Sequence, residues 1–131
     1  MAVSEIIVNP NGGGTPCKIG TFTISTTGEV TISDVGFKPK QIAIVFQGSG
    51  GTSTTVSNGA GRYIYDERIS NSYVHRGIKT GTGTMSADSV ALTAGNVGIT
   101  EVNDNGFKFA VPNNVSNPTY FYGTYYYMAI G

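Results

Sequence analysis

The chain has 131 residues, one domain's worth, enough to bury roughly two thirds of its unfolded surface without disulfide staples. Eight basic and eight acidic side chains cancel, and charged residues make up only 12% of the chain, so nucleic acid and anionic membrane have no electrostatic footprint to meet. One cysteine, Cys17, excludes an intramolecular disulfide, and Cys17 with the lone histidine, His75, cannot supply the roughly four ligands of a structural zinc.

Nineteen glycines, abundant Ser, Thr and Asn, and a single leucine, Leu92, argue against amphipathic helices. The composition predicts an all-β fold, and about nine or ten short strands at turn spacings of ~8 to 12 residues predict a two-layer antiparallel β-sandwich of jelly-roll type without significant helix, in one domain over residues 1–131. The opening MAVSEIIVNPNGGG has no basic region followed by a long apolar core, and no apolar run approaches ~20 residues, so synthesis in the cytoplasm and no membrane insertion are expected.

In chain order, Ser4 to Val8 reads as an edge strand, and Asn9 to Pro16 separates it from the rest as a Gly/Pro hinge, so residues 1–16 form an N-terminal strand that pairs within the chain or with a neighbouring subunit. Lys18 to Ser25 alternates Phe22 and Ile24 inward against Thr21 and Thr23 outward. A Thr-Gly turn then leads to Glu29 to Ser33 with Val30 and Ile32 inward, which predicts a hairpin. Gly36 to Lys40 carries Pro39 and makes a corner; Gln41 to Gln47, apolar on both faces, is a central strand. Gln47 to Gly61 is too poor in apolar side chains to pack and is expected to be a mobile loop.

Arg62 to Glu67 and Ser72 to Gly77 pair as a second hairpin, Lys79 to Met85 is another Gly-Thr loop, and Ser89 to Leu92 and Val97 to Val102 are short strands. Asn103 to Gly106 is the strongest turn in the chain, from which Phe107 to Val111 returns with Phe107, Phe109 and Val111 buried. The predicted core is Phe22, Ile24, Val30, Ile32, Ile42, Ile44, Phe46, Phe107 and Phe109.

No reaction chemistry is spelled out. His75 has no nucleophile in a G-x-S-x-G setting and reads as a surface or interface residue, while the adjacent Asp66 and Glu67 point to opposite faces of a strand and cannot act as an acid/base pair. Asp66 is expected to pair with Arg68. Asn103-Asp104-Asn105 lacks the further acid of a calcium loop, and Gly48 to Gly51 lacks the Lys-Ser or Lys-Thr of a phosphate loop, so no catalytic residue, metal or cofactor is predicted.

The most informative stretch is Tyr120 to Gly131, which holds five of the eight tyrosines. One parity carries Tyr120, Tyr122, Thr124, Tyr126, Met128 and Ile130, and the other Phe121, Gly123, Tyr125, Tyr127 and Ala129. One sandwich core covers one side, so the other is expected to be an association or sugar-binding surface. Because Met128 and Ile130 suit a buried face, the parity of Phe121, Tyr125 and Tyr127 is expected to be the exposed one, and Phe121, Tyr122, Tyr125 and Tyr127 are the candidate binding residues.

Two segments resemble a known family. A hairpin entering G-F-x-P-K and a hydrophobic strand, Thr27 to Phe46, and a G-F-x-hydrophobic stretch with an Asn-rich loop and a Y-x-Y-x-A-hydrophobic-G ending, Asn105 to Gly131, resemble small β-sandwich modules of tail fibre and tail-tip proteins in tailed bacteriophages. The resemblance leaves out Gly48 to Thr100 and transfers no catalytic residue. It implies a non-enzymatic structural or adsorption-accessory protein located in the virion tail, partnered by other tail proteins or by itself, with a homotrimer among the assemblies allowed. A module binding host cell-surface polysaccharide is the alternative, and a small glycan-cleaving enzyme the rival from another class.

Overall fold

The computed structural model describes residues 5–8, 14–46, 61–79, 85–115 and 118–131. Among them are the strands β1 (Glu5–Val8), β2 (Cys17–Ile24), β3 (Gly28–Ile32), β4 (Gln41–Phe46), β5 (Gly61–Asp66), β6 (Ser70–Lys79), β7 (Met85–Ala91), β8 (Gly98–Asn103), β9 (Gly106–Val111) and β10 (Gly123–Ile130), with a 3₁₀ turn at Pro118–Phe121. The strands form two antiparallel sheets, one of seven in the order β1-β2-β10-β4-β5-β6-β7 and one of three in the order β3-β9-β8. The all-β sandwich expected from composition and strand spacing is therefore present, with layers of unequal width. The loops expected over Gln47 to Gly61 and Lys79 to Met85 lie outside the described residues, apart from Gly61, which opens β5, and Lys79 and Met85, which close the β6–β7 ladder.

Period-two burial explains how the layers meet. Ile24, Ile32, Ile42, Ile44, Phe46, Phe107 and Phe109 are buried, and Phe22 and Val30 pack half-buried against them, so the predicted core residues share one interior. Rings dominate it. Tyr125 lies opposite Phe22 on one neighbouring strand and Phe46 on the other, and the three rings stack, with centroids 4.9 Å and 3.9 Å from that of Tyr125. From the three-stranded sheet, Phe109 meets Tyr63 edge-on at 5.0 Å and Phe107 meets Tyr127 edge-on at 5.2 Å.

The first predicted hairpin is corrected. β2 and β3 do not pair: β2 joins β10 and β1 in the large sheet, whereas β3 pairs with β9 in the small one, placing Val30 opposite Phe109 and Ile32 opposite Phe107. Alternation identified both strands and their inward sides, but it carries no information on partners. Gly28, at φ +120°, stands where the chain passes from one layer to the other.

The other expectations on order hold. β4 sits centrally between β10 and β5, and β5 and β6 form the second hairpin, its turn at Glu67–Ile69, two residues earlier than the connection read from sequence. β8 and β9 close at Asn103 opposite Gly106, and β1 is an edge strand on β2.

One inward position is charged. Lys18 continues the parity of Phe22 and Ile24 and is buried, its ammonium donating to the Asp34 carbonyl and lying 3.3 Å from the Asp34 carboxylate. It ties β2 to the segment leaving β3.

Candidate binding face

The C-terminal strand carries the sequence's main functional expectation, and the structure reverses its sides. Tyr125, Tyr127, Ala129 and Phe121 are buried in the core, whereas Tyr126 is 56% and Met128 40% exposed. Tyr122, the fourth candidate, is half-buried against the core. The facing strands account for the outcome: the inward Tyr125 stacks between Phe22 and Phe46, and the fold makes room for the rings. A Cβ on Gly20 would stand 2.6 Å from the Tyr127 hydroxyl oxygen, so the glycine on β2 is the space in which Tyr127 lies. Tyr125 is satisfied internally, its hydroxyl donating to the Phe121 carbonyl at 2.8 Å, and burial pushes its phenol well above the ordinary range. Of the eight tyrosines, Tyr63, Tyr65, Tyr125 and Tyr127 are core, Tyr120 and Tyr122 pack partly against it, and Tyr73 and Tyr126 are exposed.

The surface expected at Tyr125 and Tyr127 thus belongs to the opposite parity. On the outward face of the seven-stranded sheet, Met128 lies opposite Ile19 and Ala43, and Tyr126 opposite Thr21 and Val45. Ile19 and Val45 are exposed at 44% and 56%, so Ile19, Met128, Tyr126 and Val45 form one continuous apolar patch across β2, β10 and β4. The outward positions of these strands (Cys17, Ile19, Thr21, Thr23; Thr124, Tyr126, Met128, Ile130; Gln41, Ala43, Val45) carry no charge. The signal for Ile19 was legible: once Thr21 and Thr23 are set outward, the same parity places Ile19 beside them.

The other half of this face, on β5, β6 and β7, is polar and concave. Register places Arg62 opposite Gly77 and Gly77 opposite Ala87, and in the adjacent row Ile64 opposite His75 and His75 opposite Ser89. The small Gly77 and Ala87 leave a solvent-open hollow of ≈ 520 Å³ walled by Arg62, Ile64, His75 and Ser89. Ser89 Oγ lies 2.6 Å from His75 Nδ1, while His75 Nε2 is buried without a partner among the described residues, so no carboxylate orients the ring as a hydrolytic triad requires. In the alternate row, on the side of the strands that carries Tyr63, Arg76 Nε and NH2 reach the two carboxylate oxygens of Asp88 at 2.7 and 3.0 Å, which lowers the Asp88 pKa, and Arg76 NH1 donates to the Val97 carbonyl.

Asp66 is committed to structure, as its sequence neighbourhood suggested. Arg68 donates to it through Nε, NH2 and its backbone amide, and Gln41 Nε2 adds a bond at 3.1 Å. The Arg68 hydrogen bonds hold its carboxyl down at about 2.

Among the described residues no group of three or more His, Cys, Asp or Glu side chains is placed to hold a metal ion, and no helix is long and apolar enough to cross a membrane. Comparison of the chain with protein-family models, curated proteins and solved structures finds no match to any of them.

Proposed function

We propose that the protein is a non-enzymatic, tail-associated β-sandwich of a tailed bacteriophage, structural or accessory to adsorption, and that it assembles with further copies of itself through the apolar half of its seven-stranded sheet. The observation that carries the assembly reading is the uncharged patch of Ile19, Val45, Tyr126 and Met128. Exposed and contiguous, such a face stacks on an apolar, uncharged counterpart, and a second copy of this chain offers the same surface. The virion reading is supported by the resemblance alone, whose two segments supply β3, β4, β9 and β10.

Light scattering tests the assembly. The wild type is expected to grow in mass with concentration, and Tyr126→Ser with Met128→Ser to remain a monomer of unchanged melting temperature. A wild type that stays monomeric throughout removes self-assembly. Antibody detection of the protein in purified phage particles tests its place, and absence from them removes the tail assignment.

A further inference from the structure

We propose that the hollow on β5, β6 and β7 is a binding site for a carboxylate-bearing sugar, with Arg62 holding the carboxylate. Of the two cations lining the hollow, Arg76 is paired and Arg62 is the one left for a ligand. Asp88 pairs with Arg76 and Asp66 with Arg68, whereas no carboxylate among the described residues pairs with Arg62. An exposed guanidinium at the wall of a concavity presents a planar fork that matches a carboxylate with two parallel charge-assisted hydrogen bonds.

The remaining walls suit a sugar ring rather than a bare anion. Ile64 and Ala87 offer apolar surface to the C–H face of a pyranose, and the exposed Ser89 supplies a hydroxyl. Its 2.6 Å contact pins the imidazole of His75, whose covered Nε2 leaves the ring acting as a wall. A volume of ≈ 520 Å³ falls within the ~300–1,000 Å³ usual for small-ligand sites. Because the hollow is open, binding of a single sugar is weak, with a dissociation constant on the order of 1 mM, and gains strength when copies bind one polymer together.

The inference draws on the adsorption reading only for the natural source of the sugar, a cell-surface polysaccharide. It is measured on isolated protein, so its failure leaves the light-scattering result standing, and the reverse.

The test is an NMR titration of the labelled protein with oligosaccharides ending in glucuronate, galacturonate or sialate, each beside its methyl ester. At least one acid is expected to shift the Gly77, Ala87 and Ser89 amides saturably. Esterification or Arg62→Gln should weaken that binding about tenfold, the worth of one charge-assisted contact, without changing the melting temperature. No saturable shift at these amides with any acid overturns the site. Equal binding of the ester, or by the Arg62→Gln protein, overturns the role of Arg62; acetate or phosphate binding as tightly as the sugar overturns the sugar assignment.

Discussion

Tyr63 and Tyr125 are both buried phenols, and they differ in what their hydroxyls meet. Tyr125 donates to the Phe121 carbonyl, whereas the Tyr63 hydroxyl has no partner among the described residues. Removing a satisfied hydroxyl loses a hydrogen bond and orphans a carbonyl; removing an unsatisfied one relieves a desolvation penalty. Tyr125→Phe is therefore expected to lower stability by about 1 kcal/mol and Tyr63→Phe to raise it by a similar amount in urea unfolding. Two changes of the same sign would contradict the bonding described. Asp66 gives a residue-scale prediction on pH. Its folded value of about 2 lies below the ordinary 3.8, so its contribution to stability is present above pH 3.8 and lost as pH falls toward 2. Melting temperature against pH should fall more steeply across that window in the wild type than in Asp66→Asn, and parallel curves would show that the Arg68 contacts do not form.

At the scale of elements, the strands were legible because Thr, Val, Ile and Phe alternate with period two, and β5–β6 and β8–β9 were legible as pairs because their connections are short. What alternation could not supply was the partner of a strand or the winner between two apolar faces. β3 leaves β2 for β9, and on β10 the rings outcompete the aliphatic residues because Gly20, a position on another strand, makes room for Tyr127. The outward patch and the hollow were hidden for the same reason: Arg62, Gly77 and Ala87 become neighbours only through the β5–β6–β7 register. Gly106 shows how strictly one such junction is built. A Cβ there would clash with the Ile32 carbonyl oxygen, at a φ of +156°, where β9 starts beside the end of β3. Gly106→Ala is expected to cost about 2 kcal/mol or more by forcing the two strands apart. A loss below about 0.5 kcal/mol in chemical denaturation, the range of an ordinary surface substitution, would mean that the two strands can separate freely.

For the whole molecule, unequal layers mean that the seven-stranded sheet has one face in the core and one toward solvent, so stability should vary across the sheet rather than between its faces. The ladder hydrogen bonds lie in the plane of the sheet, and an amide on β10 is flanked by β2 and β4 whichever way its side chain points. The inward side chains of β10 are Tyr125, Tyr127 and Ala129, all buried, and the Phe22–Tyr125–Phe46 stack joins the neighbouring strands β2, β10 and β4, so opening β10 disrupts the core itself. β7 lies at an edge, with Ala87, Asp88 and Ser89 exposed and, among its described side chains, Val90 alone packed against the interior. Local opening free energy follows such differences in buried contact. Hydrogen exchange is therefore expected to be slowest on β10 and β4, for outward Tyr126 as much as for inward Tyr125, and much faster on β7. Exchange on β7 as slow as on β10 would show that the outer strands are held by something beyond this sheet. If the isolated monomer instead lost protection at Tyr126 but not at Tyr125, stacking of copies rather than the ladder would be what shields the outward face.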